Sequence, residues 1–207
     1  MKLIKLAIIF FLVFFLTSLT AADFKKNVNY SIINSSSASQ SHIENVEVIE
    51  FFLFSCPHCF QLEPYLKDWL RTKPKNVSFK KIPALFGGNS TLHARVFYSL
   101  EAIGADERIF SDIFEEIHVN NKRLRTSDSV EKLLEEKGIN LTEFRSAMTS
   151  FSVKMKIDKA AKLMEKYQIR SVPKIVVNGK YKTERVSTYK EIIDLTDFLI
   201  LQTKIEK

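Results

Sequence analysis

The 207-residue chain contains few cysteines, and the two it has, Cys56 and Cys59, lie three positions apart. A structural zinc site usually takes four ligands, either from two Cys-x-x-Cys pairs or from two cysteines and two histidines. Here a second cysteine pair is missing, and His42, His93 and His118 are scattered without ligand-like spacing. We therefore expect no metal site in this protein.

A dense run of basic residues is also missing. The formal net charge is +7 at pH 7, but basic and acidic residues are mixed along the chain. Domains that bind nucleic acid usually concentrate their positive charge on one segment or one face. Nucleic acid is therefore not an expected partner, and the charge indicates only a general attraction to anionic surfaces.

Long apolar runs are absent except at the amino terminus. Lys2 and Lys5 precede the run Leu6–Leu16, and small residues follow at positions 20–22. This order is typical of a secretory signal peptide, which we predict over residues 1–22. The run is short for a membrane span, although an uncleaved anchor is an open alternative. Export would bring the cysteines into a compartment where thiols are not kept reduced.

What the chain does contain is a Cys-x-x-Cys motif between an apolar stretch and a predicted helix. A disulfide between Cys56 and Cys59 would close a very small ring, which constrains the unfolded chain little, so we interpret the pair as reactive rather than structural. Pro57 is favourable in a first helical turn, because its missing N–H has no intrahelical partner there. Cys56 would then face free backbone N–H groups and the positive end of the helix dipole, which favour a thiolate.

The position of each cysteine predicts its role. Cys56 should be the accessible sulfur that is attacked, and Cys59, one turn further along, the buried sulfur that resolves the mixed disulfide. His58 lies between them and carries positive charge when protonated, so it would favour the thiolate. The alternative is that His58 is a solvated turn residue.

A single acid interrupts the apolar stretch before the motif. By the two-residue period of a strand, Glu50 shares a face with Val48 and Phe52. Lys81 lies among apolar neighbours on the next predicted strand. A buried charge needs a partner, and each of these two residues could serve the other. The alternative is that both are exposed charges at a sheet edge.

The pattern of apolar residues predicts an α/β protein: a thioredoxin-like fold with an inserted helical domain. Strands are predicted over 46–54, 77–82, 171–177 and 180–183, the last two joined by the hairpin signal Asn178-Gly179. The first helix should cover 57–71 and the last 191–201. The predicted divisions are a signal peptide (1–22), a flexible N-terminal arm (23–45), the first part of the thioredoxin-like domain (46–88), the helical insertion (89–160) and the second part (161–207).

Four segments resemble the DsbA family of periplasmic disulfide oxidoreductases. The stretch VIEFFLFSCPHC at 48–59 carries most of the resemblance, and PALFGG at 83–88, SVP at 171–173 and VNGKY at 177–181 extend it. The resemblance covers nearly all of the chain after the predicted signal. A low cysteine pKa and an oxidising potential are established properties of that family.

The resemblance also implies roles for individual residues. Val172 and Pro173 match a loop with a cis proline beside the disulfide, where Val172 would bind the client backbone. Glu50 matches a buried acid, Lys81 its basic partner, and Glu63 a further acidic position near that pair. Without the resemblance, a trans bond would be expected before Pro173, because most X-Pro bonds are trans.

The implied function is that of a thiol:disulfide oxidase. The protein would donate its disulfide to reduced, newly exported client proteins in the periplasm, and a membrane protein of the DsbB type would reoxidise it. It would act as a monomer, without a metal or organic cofactor. The alternatives are a reductase or isomerase on the same fold, or a non-enzymatic chaperone that would keep its activity without the two cysteines.

Overall fold

The structure is a computed structural model, and it describes residues 23–33, 45–105 and 107–205. The predicted signal peptide, residues 1–22, lies outside the described residues, as do positions 34–44 of the predicted arm. Within the described part, five strands form one mixed sheet and seven helices cover it. The strands are β1 (Tyr30–Ile32), β2 (Val46–Phe52), β3 (Val77–Pro83), β4 (Lys174–Val177) and β5 (Tyr181–Thr183). The helices are α1 (Pro57–Thr72), α2 (Asn89–Ala102), α3 (Arg108–His118), α4 (Ser127–Glu136), α5 (Leu141–Thr149), α6 (Phe151–Lys166) and α7 (Tyr189–Ile205).

The strand order in the sheet is β1-β5-β4-β2-β3. β2 and β3 are parallel and are joined through α1, as a parallel pair requires a crossover. β4 runs antiparallel to β2, and β5 returns antiparallel to β4. The turn between them places Asn178 at φ 53° and Gly179 at φ 63°, which is the positive-φ pair that a type I′ hairpin needs. The predicted hairpin is confirmed.

Two apolar cores lie on opposite faces of the sheet. Val46 and Val48 of β2 belong to the core that includes α1 and α7. Ile49 and Phe51 belong to the core that includes the helices from α2 to α6. Six of the seven residues of β2 are buried, because helices cover the strand on both faces. The end of β2 is therefore a rigid support for the cysteine motif that follows it.

The predicted flexible arm is wrong for the part of it that the structure describes. Tyr30–Ile32 pairs with β5, with Tyr30 opposite Thr183 and Ile32 opposite Tyr181. The Tyr30 ring also lies 5.9 Å from the ring of Phe198 in α7. The segment is ordered because it gains a strand partner and aromatic contacts from the far end of the chain, which its polar local composition does not reveal.

The predicted end of the helical insertion, at residue 160, falls inside a continuous helix. α6 runs from Phe151 to Lys166, and its residues Val153, Ile157, Ala160 and Met164 form one buried stripe. The helical segment therefore reaches Lys166. The division of the chain into two parts around it is still a prediction.

Candidate active site

The cysteine motif lies where β2 ends and α1 begins. Cys56 is the N-cap of α1, with extended backbone angles, and Pro57 opens the helix. The Cys59 N–H donates a hydrogen bond to the Cys56 sulfur, at 3.4 Å. Both thiols are free, so the structure is that of the dithiol form. This is the helix-terminus geometry that the position of Pro57 predicts.

The two sulfurs differ sharply in exposure and acidity. Cys56 is half-buried and Cys59 is completely buried. A hydrogen bond from the Cys59 thiol, helped by the backbone N–H groups of Cys59 and His58 and by the charge of His58, lowers the pKa of Cys56 from 9.0 to about 6 against the opposing effect of burial. Burial raises the pKa of Cys59 far above its ordinary value, and the contact with Cys56 and the charge of Glu50 add to the rise. Only Cys56 is therefore a thiolate at neutral pH.

The loop before β4 brings Val172 and Pro173 to this sulfur. The Val172–Pro173 peptide bond is cis, and the Cys56 sulfur lies 3.6 Å from the Val172 carbonyl oxygen, which accepts from it when Cys56 is protonated. The predicted cis bond beside Cys56 is confirmed. The loop presents backbone polar groups next to the accessible sulfur, where an extended peptide could pair with them.

The predicted acid and its basic partner lie on adjacent strands, where Glu50 is paired in register with Lys81. Glu50 is completely buried, and its Oε2 lies 3.6 Å from Lys81 Nζ, an ion-pair distance at which neither carboxylate oxygen is hydrogen-bonded. Glu63 of α1 accepts a shorter contact from the same ammonium. Lys81 thus lies between two carboxylates, and the neighbouring Lys80 pairs instead with Glu47 at 2.6 Å.

The charges of this cluster have a direct electrostatic effect. Burial raises the pKa of Glu50 from 4.5 to about 7, although Lys81 opposes the rise. Burial acts to lower the pKa of Lys81, but the negative charges of Glu50 and Glu63 outweigh it, and the pKa of Lys81 is raised. Lys81 therefore stays charged, while Glu50 can bind or release a proton near neutral pH.

The contacts of His118, Tyr189 and Gln61 near the motif were not predicted from the sequence. His118, at the end of α3, donates from Nε2 to the carbonyl oxygen of Phe54 at 2.7 Å. His58 Nδ1 lies 2.8 Å from the hydroxyl of Tyr189, which donates to Gln61 Oε1 at 2.6 Å. His118 was considered only as a metal ligand. His118 and Tyr189 come from distant segments, so no local pattern marks them.

Two open cavities flank the start of α1. A groove of about 780 Å³ is lined by His58, Pro173 and Tyr189, and its other walls come from residues 27–28 and 184–186. A larger cavity of about 1050 Å³ on the other side of Tyr189 reaches Glu63 and Lys81. The groove is lined by the cis proline and by His58, which lies two positions from the accessible Cys56.

Two kinds of site are not found in the described part of the chain. Within residues 23–33, 45–105 and 107–205, no group of three or more His, Cys, Asp or Glu side chains is placed to hold a metal ion. Among the same residues, no helix combines the length and the apolar character that crossing a membrane would require.

Comparison with known proteins identifies the family. Residues 47–194 match the model of the DSBA-like thioredoxin domain. The thiol:disulfide interchange protein DsbA of Azotobacter vinelandii is 40% identical over 161 residues, which is 77% of this chain and 75% of the relative. The DsbA of Burkholderia cepacia is 33% identical over 181 residues, covering 86% and 85%. The crystal structure of Pseudomonas aeruginosa DsbA superposes with a TM-score of 0.81 at 35% identity, over 88% of this chain and 95% of that one. This chain belongs to the family of DsbA-like thioredoxin domains.

Proposed function

We propose that this protein is a thiol:disulfide oxidase that transfers the Cys56–Cys59 disulfide to reduced, newly exported client proteins. The observation that carries the proposal is the difference between the two sulfurs: Cys56 is accessible with a pKa of about 6, and Cys59 is buried. A sulfur that is stable as a thiolate is a good leaving group, so a mixed disulfide through Cys56 tends to release the protein in its reduced form.

The transfer takes place in two exchanges. A client thiolate attacks Cys56 Sγ, a bond forms between the two sulfurs, and the Cys56–Cys59 bond breaks with its electron pair on Cys59. A second client thiolate then attacks the client sulfur of the mixed disulfide, and the electron pair of that bond leaves on Cys56. The client is oxidised by two electrons, and the protein is left as the dithiol.

The buried carboxylate gives Cys59 a source of protons. The Cys59 thiolate formed in the first exchange is strongly disfavoured by burial, so it must take up a proton. Glu50 is buried next to Lys81, and with a pKa of about 7 it carries a proton part of the time at neutral pH. We infer that Glu50 donates this proton and takes it back on reoxidation, and that Lys81 and Glu63 hold the charge of the cluster.

The client would lie along the groove beside the motif. Val172 and Pro173 present an edge of backbone next to Cys56, and an extended peptide can add to such an edge as an extra strand. The Val172 backbone would hold the client while the exchange takes place. Recognition through backbone groups needs no particular client sequence, which suits a protein that oxidises many partners.

The setting of the reaction is part of the proposal. Residues 1–22 would direct export, the mature protein would work in the periplasm as a monomer, and a membrane protein of the DsbB type would return it to the disulfide form. The support comes from the signal-like sequence and from membership of the DsbA family.

A redox titration against glutathione tests the direction of the reaction. The protein is equilibrated with mixtures of reduced and oxidised glutathione, and the Cys56–Cys59 disulfide is quantified by mass spectrometry after thiol alkylation. We expect the dithiol to dominate over most of the range, and we expect the disulfide form to oxidise a reduced two-cysteine peptide. A disulfide that persists in excess reduced glutathione would contradict the proposal and would support a reductase.

A further inference from the structure

The ring of His58 is held by residues from two other positions in the fold. Its Nδ1 lies 2.8 Å from the hydroxyl oxygen of Tyr189, the first residue of α7. The same hydroxyl donates to the side-chain oxygen of Gln61, one turn along α1, at 2.6 Å. The chain of contacts therefore runs from Gln61 through Tyr189 to His58.

The hydrogen atoms in this chain fix the state of the imidazole. A tyrosine hydroxyl has one hydrogen, and here Gln61 Oε1 accepts it. The Tyr189 oxygen can then only accept from His58, so Nδ1 must carry the hydrogen between them. The neutral ring is held as the Nδ1–H tautomer, in which Nε2 carries no hydrogen.

We propose that Tyr189 is a positioning residue that fixes the ring orientation and the tautomer of His58 for the exchange at Cys56. The proposal rests on the proposed function, because orientation of His58 matters only if Cys56 is the reacting sulfur. The charge of His58 is one of the causes that favour the Cys56 thiolate. A ring that rotates freely would spend less time in the orientation in which this charge favours the thiolate.

The contact is not needed to satisfy buried polar groups. His58 and Gln61 are exposed and Tyr189 is half-exposed, so water could serve all three side chains if the contact were lost. Its contribution to stability should therefore be small, as for other exposed hydrogen bonds. What the contact does supply is one ring orientation at the mouth of the groove.

Other charged groups face the same groove and set the background for any pH effect. Lys174 and Glu184 line it and pair with each other at 2.9 Å. Arg185 lines it as well. Replacing Tyr189 by phenylalanine changes none of these charges. A change in the pKa of Cys56 in that variant would therefore arise through His58.

The direct test is the variant Tyr189→Phe in the full chain, which keeps the ring and removes the hydroxyl. The Cys56 thiolate is titrated by its ultraviolet absorbance, and the glutathione equilibrium is measured in parallel. We expect the pKa of Cys56 to rise by about half a unit, because one exposed hydrogen bond that orders a ring contributes less than the free energy of a full pKa unit. The glutathione equilibrium constant should therefore change by about threefold toward the disulfide form.

Matched variants separate positioning from a general structural effect. Tyr65→Phe removes the hydroxyl of a neighbouring tyrosine, whose ring centre lies 6.2 Å from that of Tyr189, and it should leave the Cys56 titration unchanged. Gln61→Leu removes the acceptor, so the hydroxyl can turn its hydrogen to Nδ1 and favour the other tautomer. Gln61→Leu should therefore raise the pKa of Cys56, as Tyr189→Phe does.

The decisive comparison is made without His58. In a His58→Ser background, Tyr189→Phe should produce no further shift of the Cys56 pKa. An equal shift in that background, or no shift in the natural background, would overturn the proposal. If the glutathione titration instead shows a reducing protein while the Cys56 shift still depends on His58, the proposed function fails and the role of Tyr189 stands.

Discussion

Cys59 is completely buried in α1, whereas Cys56 is half-buried at the N-terminus of the helix, with its sulfur 3.6 Å from the carbonyl oxygen of Val172. An incoming client sulfur can therefore reach Cys56 directly, and it can reach Cys59 only if α1 opens. We therefore expect the approach of the client and the release of the product both to involve Cys56, and Cys59 to act from inside the protein.

This difference predicts which variant accumulates a mixed disulfide. Cys59→Ser should trap client proteins on Cys56. In this variant the Cys56 thiolate can attack a client disulfide, whose bond breaks with its electron pair on the other client sulfur, and the internal Cys59 thiol that would resolve the resulting mixed disulfide is gone. The adducts can be seen on non-reducing gels and mapped by peptide mass spectrometry. Cys56→Ser is the matched control and should trap almost nothing; adducts formed through Cys59 in that control would reverse the assignment of the two sulfurs.

Glu50 predicts a pH dependence of stability. Its pKa is raised from 4.5 to about 7 in the folded protein, so between these pH values the unfolded chain loses a proton that the folded chain keeps. The free energy of unfolding of the natural protein should therefore fall as pH rises through this window, by on the order of 2 kcal/mol relative to Glu50→Gln.

Urea unfolding of the dithiol form at pH 5 and pH 7.5 would measure this difference. Glu47→Gln is the matched control, because it removes a carboxylate from the same strand. The Glu47 side chain is 40% exposed and pairs with Lys80. The control should show a much weaker pH dependence. A Glu50→Gln difference that is equal at both pH values would show that the folded protein does not hold the Glu50 proton.

At the scale of whole elements, α3 is attached to the end of β2. His118 donates to the carbonyl oxygen of Phe54, two residues before Cys56, and its ring stacks on Phe60 with ring centres 5.0 Å apart. Phe60 follows Cys59 in α1. One side chain of α3 therefore contacts residues on both sides of the cysteine motif. These contacts limit how far α3 can move away from the end of β2 and the start of α1.

His118→Phe should show the value of this attachment. The variant keeps an aromatic ring against Phe60 but leaves the Phe54 carbonyl without its donor, which should lower the free energy of unfolding by about 1 kcal/mol. Urea unfolding measures the change. Glu115→Gln, an exposed position on the same helix, should change it by less than about half as much. Equal effects of the two variants would mean that the hydrogen bond contributes nothing.

The elements around the motif could be predicted from the sequence because their signals are local. The apolar run of β2, Pro57 at the start of α1 and the Asn178-Gly179 turn each depend on neighbouring residues. The resemblance supplied the rest of the predicted site, such as the cis bond before Pro173. Contacts between distant segments carry no such signal, so the pairing of β1, the contact of His118 and the contact of Tyr189 were all missed.

At the scale of the whole molecule, the thiolate makes stability depend on redox state. The pKa of Cys56 is lowered from 9.0 to about 6 on folding, so the dithiol form gains stability that is fully present above pH 9 and is lost as pH falls through about 6. The disulfide form has no thiolate to gain it, and its small ring constrains the unfolded chain little. The dithiol form should therefore be the more stable at neutral pH.

Unfolding of both redox forms at pH 8 and pH 5 would measure this effect. The dithiol form should unfold at higher urea concentration at pH 8, and the gap should narrow at pH 5. Both forms contain Glu50 and the histidines, so taking the difference between them removes most of the other pH effects. A disulfide form that is the more stable at pH 8 would favour the reductase alternative.

The pairing of β1 with β5 has a consequence for the order in which the protein can be completed. Ser31 donates to Glu184 across 153 positions of sequence, and the whole helical segment lies between these two strands. During synthesis, β1 is made first, and its partner β5 is made only after the helical segment between them. Such distant pairing is slow to form, because a long loop must close before the contact is gained. The edge of the sheet therefore stays open until the residues through β5 have emerged, and until then Tyr30 lacks the β5 ring of Tyr181 that it contacts in the finished fold.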